Sequence, residues 1–334
     1  MVTLVFRTDV HVADRSPASW KGDYAAEVLS SLEQIGELAR RAEADAVLDG
    51  GDFFHVKAAS KNSHGTMRQV IEIHKKYPCP VFSIEGNHDL QYNNLETLEK
   101  QPLGVLFAAG VFEPLRETII RKEGEPEVRV VGVPYSPTRK LDELQAISKQ
   151  GEDCLVAVVH ALATETPHGA AEGFVGEPVF RYRDLVFPGG PDIWLFGHWH
   201  KDQGITMIPE LDENDHQVRE VTFVNQGAVS RGALNNDNLD RTPKVAVLEI
   251  QEGAFDVRAV ELVVPDAEEV FDLERKARQD HRDNAIEQFV DRLMQDGTLD
   301  PGESVDDAID KLEFALDVRD GAREYLERAR ESRR

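Results

Sequence analysis

Seven residues with oxygen or imidazole donors, spread over five short pieces of chain, hold the chemistry this sequence can do. They are Asp9 and His11 in Asp9-Val10-His11, Asp52 in Gly51-Asp52, Asn87 in Gly86-Asn87-His88-Asp89, His160, and His198 and His200 in Gly197-His198-Trp199-His200. Oxygens and imidazoles without thiolate suit Mn²⁺, Fe, Zn²⁺ or Mg²⁺ rather than a soft metal. Seven such groups are too many for one ion and about right for two, with the two oxygens of Asp52 as the bridge. Two cations roughly 3.5–4 Å apart can clamp a phosphoryl group and activate water between them. Asn87 is a neutral ligand, so the site keeps enough positive charge to attract a phosphate. His88 adjoins a ligand and on an extended backbone points another way, which suits it to protonate a leaving alkoxide. Asp89 is then placed to orient and charge that imidazole. Each signal is common by itself; five in one order, each after a strand-like run, are specific.

Strands must deliver these groups. Residues 1–10 read as a strand whose end carries Asp9 and His11, two apart and so on one face. Asp23 to Ala42 has helical apolar spacing (Ala26, Leu29, Leu32, Ile35, Leu38, Ala39), and Ala46–Leu48 is a short buried strand before Asp49-Gly50-Gly51-Asp52. Together they make a strand–helix–strand crossover, the unit of a parallel sheet. The pattern repeats with a helix from Met67 to Tyr77, stopped by Pro78-Cys79-Pro80, and a strand Val81–Ile84. A short helix is expected at Leu95–Lys100, strand material near Val111-Phe112 and Ile119-Ile120, a strand at Val128–Val133 and a helix at Leu141–Ser148. Leu155–Val159 and Asp192–Phe196 are buried strands that deliver His160 and the His198/His200 pair, whose imidazoles an extended backbone turns the same way. Residues 161–191 are irregular, with Gly, Pro and four aromatics. Ile205–Ile208 with Val221–Asn225, and Val245–Ile250 with Phe255–Val264, read as antiparallel pairs. Open α/β sheets place sites at the ends of parallel strands.

After Pro265 the composition turns heavily charged, with helical spacing in Phe271–Leu293 and Ala308–Leu326. Residues 1–264 are therefore expected to form the catalytic domain and 265–334 a small helical appendage, serving as a lid or for docking. The 334-residue chain is 41% hydrophobic with 3 Trp and 15 Phe, enough to fill a core, and has no run long enough to span a membrane. Its N-terminus begins as a strand, without a leader pattern. Cys79 and Cys154 stand far apart without metal-ligand spacing, so a reducing, cytoplasmic setting is expected. A net charge of −24 argues against gripping nucleic acid through a general basic surface. It does not exclude a nuclease, because divalent ions invert the local field and a partner can supply a positive groove.

The ordered set Asp9-x-His11, Gly51-Asp52, Gly86-Asn87-His88-Asp89, His160 and Gly197-His198-x-His200 resembles the calcineurin-like metallophosphoesterase superfamily over about residues 1–250. Gly51-Asp52-Phe53-Phe54-His55 is similar to the corresponding segment of the SbcD-type DNA repair nucleases, relatives of the eukaryotic meiotic-recombination nuclease. Asn225-Gln226-Gly227-Ala228-Val229-Ser230-Arg231 matches a post-histidine loop of that family less closely. The resemblance implies a four-layer α/β/β/α sandwich, with one ion on Asp9, His11, Asp52 and His200 and the other on Asp52, Asn87, His160 and His198. It implies His88 as the acid, Asp89 as its support, and His55 as a histidine that places the DNA strand. It further implies Mn²⁺-dependent 3′→5′ exonuclease and single-strand endonuclease action on DNA ends and single strands. An SbcC-type coiled-coil ATPase would be the partner, docked by the C-terminal helices. A homodimer would be typical of the family, though no apolar stripe marks an interface. Thr8 stands where the family usually has Ser, and the loop after His160 lacks the usual Gly-containing continuation. Two rivals remain: a stand-alone phosphoesterase acting on small nucleotides or phosphoproteins, and a non-catalytic scaffold for DNA ends or the ATPase.

Overall fold

The first strand, Val2–Arg7, is buried along its whole length, and its two faces do different work. Val2, Leu4 and Phe6 enter an apolar layer, while Arg7 points the other way, under the helices. In the computed structural model, which describes residues 1–17, 20–55, 62–166, 176–274, 277 and 278, the order begins β1 (Val2–Arg7), α1 (Tyr24–Arg41), β2 (Ala46–Asp49), α2 (His64–His74), β3 (Val81–Ser83), α3 (Pro102–Ala108), β4 (Glu113–Pro114), β5 (Glu117–Ile120) and β6 (Val128–Val133). It continues α4 (Leu141–Gln145), β7 (Cys154–His160), β8 (Leu162–Thr164), β9 (Val179–Arg181), β10 (Ile193–Gly197), β11 (Gly204–Leu211), β12 (Gln217–Asn225), α5 (Asn236–Asp240), β13 (Lys244–Gln251), β14 (Ala254–Glu261) and α6 (Ala267–Val270).

Two six-stranded sheets result, ordered β14-β13-β1-β2-β3-β4 and β11-β12-β10-β7-β6-β5. Alternation along the strands fills the space between them: Leu4, Phe6 and Leu48 from one sheet meet Val130, Val156, Val158, Ile193 and Leu195 from the other. On the outer face of the second sheet, Ala157, Val159, Trp194 and Phe196 are covered by Phe180, Tyr182, Leu185 and Leu144. Helices α1 and α2 cover the first sheet. The mixed α/β sandwich with two large sheets matches the expected fold class. Among the described residues, no helix is long and apolar enough to cross a membrane.

Helix α1 runs as its spacing predicts. Asp23 caps it by accepting the Ala26 N–H at 3.1 Å, and Val28, Leu29, Leu32 and Ile35 are buried beneath it. Helix α2 starts earlier than the apolar spacing alone suggests, because Ser63 caps it by accepting the Thr66 N–H. Val111 and Phe112 lie in a turn, not a strand; the pairing residues are Glu113 and Pro114. Helix α3 opens with Pro102 at its first turn and was too short to show a period. Part of the irregular 161–191 stretch is ordered, because β8 and β9 pair in parallel, Leu162 opposite Val179, and bury aromatics on the second sheet.

The chain divides into two units, Met1–Val270 and Phe271–Arg334. The division falls later than residue 264/265, because the segment after Pro265 is tied back onto the first unit. Arg231 donates to the Pro265 carbonyl at 2.8 Å, and the Lys21 N–H donates to that of Val270 at 2.7 Å. In the second unit Leu273, Glu274, Ala277 and Arg278 are helical; the remainder of the helical spacing in Phe271–Leu293, and all of Ala308–Leu326, lies outside the described residues.

Beneath α1 and α2, Arg7 is fully buried. Its Nε donates to Asp49 Oδ2 at 2.7 Å, and its guanidinium lies 5.2, 5.8 and 5.5 Å from the ring centres of Phe53, Tyr77 and Phe112. Asp49 Oδ1 in turn accepts the Gly51 N–H and the Ser83 hydroxyl, so this buried ion pair braces the turn that carries Asp52. Breaking such a pair from one side costs about 3–5 kcal/mol.

His74 packs against the same group, its ring 4.6 Å from Tyr77 and 4.8 Å from Phe112. Its Nδ1–H donates to the Val70 carbonyl, its Nε2 has no partner, and burial reinforced by Arg7 holds its pKa well below the ordinary value of 6.5. An unfolded chain binds a proton near that pH which folded His74 refuses, so acid favours unfolding. The penalty is absent above about pH 6.5 and grows below it. Between about pH 7.5 and pH 5.5 the parent protein should lose about 1 kcal/mol more unfolding free energy than His74→Leu, read from urea denaturation. Equal losses would show that His74 titrates normally.

Candidate metal centre

The loops that follow β1, β2, β3, β7 and β10 meet at one end of the two sheets. The first two zip together: the N–H groups of Asp9, His11 and Val12 donate to the carbonyls of Gly51, Asp52 and Phe53 at 3.0, 3.0 and 2.8 Å. Close approach demands glycine at Gly86, where an added Cβ would sit 2.0 Å from Asp52 Oδ1. The ligand-bearing backbone is not extended. Asp9, His11, Asp52 and His198 have φ of 52°, 50°, 53° and 90°, a left-handed region that non-glycine residues occupy at a cost and that clusters at functional sites. The rule of residues two apart on one strand face therefore does not apply here; tight turns beyond the strand ends aim these side chains.

Among the described residues, His11, His55 and His88 form a group at the rim, and two clusters gather round Asp52. In one, Asp9, His11, Asp52 and His200 bring donor atoms within 4.8 Å of one another. His11 Nε2 and His200 Nε2 are 2.9 Å apart, His200 Nε2 is 3.4 Å from Asp9 Oδ1, and His11 Nε2 is 3.9 Å from Asp52 Oδ2. In the other, Asp52, His160 and His198 converge, with His160 Nε2 3.6 Å from Asp52 Oδ2 and 3.3 Å from Asn87 Oδ1. The two histidines of Gly197-His198-Trp199-His200 part company, contrary to the extended-backbone expectation. The His198 ring lies 4.9 Å from His160 and the His200 ring 4.6 Å from His11, because the turn at His198 separates them.

These residues fit divalent cations. Asp52 Oδ2 is buried with no hydrogen-bond partner, yet faces imidazole nitrogens of both clusters at distances too long for hydrogen bonds and suited to sharing an ion. The His160 tautomer is set by its Nδ1–H, donated to the Gly50 carbonyl at 2.7 Å, which leaves Nε2 for the cluster. Electrostatics point the same way. Burial works to neutralise Asp9, but the hydrogen bond and charge of His200 hold its carboxyl at about 2; burial likewise opposes charge on His160, yet Asp52 lifts it to about 9. Asp52 is lowered against its burial by His160 and His11. Anions this buried call for positive charge beside them.

Of the residues expected around the ligands, His88 takes its place at the rim. Its ring stands edge-on to His11 at 4.8 Å, its amide donates to Asp52 Oδ1 at 2.7 Å, and its Nδ1–H donates to the His55 carbonyl at 2.7 Å. His55 is exposed and stacks on His88, centroids 5.4 Å apart. Asp89 does not orient His88. It is buried facing inward, accepting the N–H groups of Gly86, Phe53 and Phe54 at 3.0, 3.3 and 3.2 Å, so it fastens the Asp52 turn to the Asn87 turn. The His55 carbonyl, not a carboxylate, holds the His88 ring.

Three further contacts shape the centre. The Thr8 hydroxyl donates to Asp9 Oδ2 at 2.7 Å. Tyr135, in Pro134-Tyr135-Ser136-Pro137 at the tip of β6, packs 5.3 Å from the His198 ring, and its position at a strand tip could have marked it. Glu177, one of many carboxylates in an acidic chain, reaches His198 Nε2 at 2.8 Å.

A two-sheet α/β sandwich with a paired Asp/His/Asn centre at the strand ends defines a metal-dependent phosphoesterase class. Residues 2–202 match the calcineurin-like phosphoesterase family, and the chain belongs to it. Over 127 residues it is 28% identical to the DNA double-strand break repair protein Mre11 of Archaeoglobus fulgidus; the match covers 37% of this chain and 27% of that protein's length. A solved structure described as a novel archaeal phosphodiesterase superposes with a TM-score of 0.36 at 11% identity, covering 78% of this chain and 100% of that one. A second solved structure gives 0.42 at 12% identity, over 78% and 99%.

Proposed function

We propose that this protein is a two-metal phosphodiesterase that acts on DNA as a repair nuclease subunit. The observation that carries the phosphodiester chemistry is Asp52: a buried carboxylate between two donor clusters, with one oxygen unpartnered. In this reading Asp9, His11, Asp52 and His200 hold one ion and Asp52, Asn87, His160 and His198 the other. Such ions, Mn²⁺ foremost, supply charge for the phosphate and a water acidic enough to attack it. The chain's own residues do the rest. His88, with Nδ1–H held by a backbone carbonyl, presents Nε2 to the cleft, from which its imidazolium form protonates the departing sugar oxygen. His55, stacked on it, steadies the strand.

DNA as substrate is supported by the partial similarity to Mre11 and by the histidine pair at the rim. The −24 charge fits a subunit whose partner supplies the basic groove, and a coiled-coil ATPase of SbcC type, docked through the C-terminal unit, would fill that role. One observation favours action on small nucleotides instead. The cleft over Asn87, His88, His198 and His200 encloses about 500 Å³ and, among its described lining residues, offers Lys201 as its one lysine or arginine, against Asp52 and Asp237. Assays with Mn²⁺ on linear duplex ends, single-stranded DNA and bis-p-nitrophenyl phosphate separate the two. DNA hydrolysis is expected; hydrolysis of the small ester alone would move the assignment to small substrates.

A further inference from the structure

The loop between His160 and β10 contributes a carboxylate that the seven-residue ligand set leaves out. Leu162 pairs with Val179 in parallel register, and Glu177 lies two residues before that pair, in the loop leading into β9. There Glu177 Oε2 accepts from His198 Nε2 at 2.8 Å, and Glu177 Oε1 accepts the Tyr135 hydroxyl at 2.8 Å. Tyr135 is itself buried, with its ring 5.3 Å from His198 and 6.0 Å from His160. Tyrosine, carboxylate and imidazole thus form a chain that ends on the His198 ring, while the His198 backbone N–H donates to Asp9 of the other cluster at 3.0 Å.

We propose that Glu177 is a positioning residue for the cluster of Asp52, Asn87, His160 and His198: by taking the Nε2–H of His198 it leaves the lone pair on Nδ1 and holds the ring toward the ion. A ligating histidine whose second nitrogen is held by a carboxylate is the more basic and better-oriented ligand. Tyr135 fixes the carboxylate in turn, so one acceptor sets the tautomer of His198, as the Gly50 carbonyl sets that of His160. Glu177's role presupposes the two-ion reading above.

The test is Mn²⁺ titration of the metal-free full chain by calorimetry, with electron paramagnetic resonance to report the coupled ion pair. The parent should take up two ions. Glu177→Ala should bind the first as the parent does and the second roughly 10–100-fold more weakly, so the coupled signal emerges only at higher Mn²⁺, with the metal-free melting temperature unchanged. Glu177→Gln should recover most of the loss, because an amide oxygen still accepts from Nε2–H. Two results overturn the proposal: Glu177→Ala binding both ions like the parent, or Glu177→Gln as deficient as Glu177→Ala, which would make the carboxylate a ligand itself. Failure of the two-ion reading would look different, as a parent protein that binds fewer than two ions, and would remove the proposal with it.

Discussion

Asp52→Asn should reduce Mn²⁺-supported phosphodiester hydrolysis by at least about a thousandfold while leaving the fold intact. The size follows from what is lost. Metal-ion stabilisation of a phosphoryl transfer is worth several kcal/mol, each 1.4 kcal/mol or so is tenfold in rate, and Asp52 is the one side chain common to both clusters. Asparagine keeps an oxygen to accept the His88 N–H, so the Asn87–His88 turn stays tied down. It replaces the unpartnered Oδ2 with an amide that repels a cation. The checks are steady-state rates and the rise in melting temperature on adding Mn²⁺, present in the parent and absent in the variant. A variant within tenfold of the parental rate would mean that no ion is shared at this position.

His88→Ala should lower DNA cleavage by about 10²–10⁴-fold, the usual contribution of a positioned acid, without changing the number of ions bound. Its ring stands at the rim of the His11 cluster and belongs to neither four-residue ligand set. The loss should depend on the leaving group. A sugar alkoxide needs a proton to depart, whereas p-nitrophenolate leaves as a stabilised anion, so bis-p-nitrophenyl phosphate should be hydrolysed nearly as fast as by the parent. Equal losses on both substrates would mean that His88 binds phosphate or supports the metals and donates no proton.

The two variants separate roles that the clustered histidines blur. Asp52→Asn removes charge that both clusters share. His88→Ala removes only a proton donor, whose ring is held by the His55 carbonyl.

What the sequence by itself determined is the order of the ligand-bearing strands β1, β2, β3, β7 and β10, the first two crossovers between them, and the residue types at their ends. Val5 and Leu48, Val156 and Leu195 lie in runs whose burial on both sides requires a parallel sheet covered on both faces, and the antiparallel pairs at β11/β12 and β13/β14 follow from their polar turns. Local periodicity reports which element forms and which end of it a residue occupies, so five chemically apt pieces could be placed at strand tips. It does not report direction within a turn. Asp9, His11, Asp52 and His198 sit at positive φ, held there by hydrogen bonds between loops more than forty residues apart, so strand-face rules mispredicted how His198 and His200 diverge. The same distance hid Asp89's true partners, which are backbone N–H groups of the Asp52 turn, and Glu177's approach to His198. Those contacts exist only once distant strands stand in their final order, since that order fixes which loops meet and no short stretch of chain carries the information.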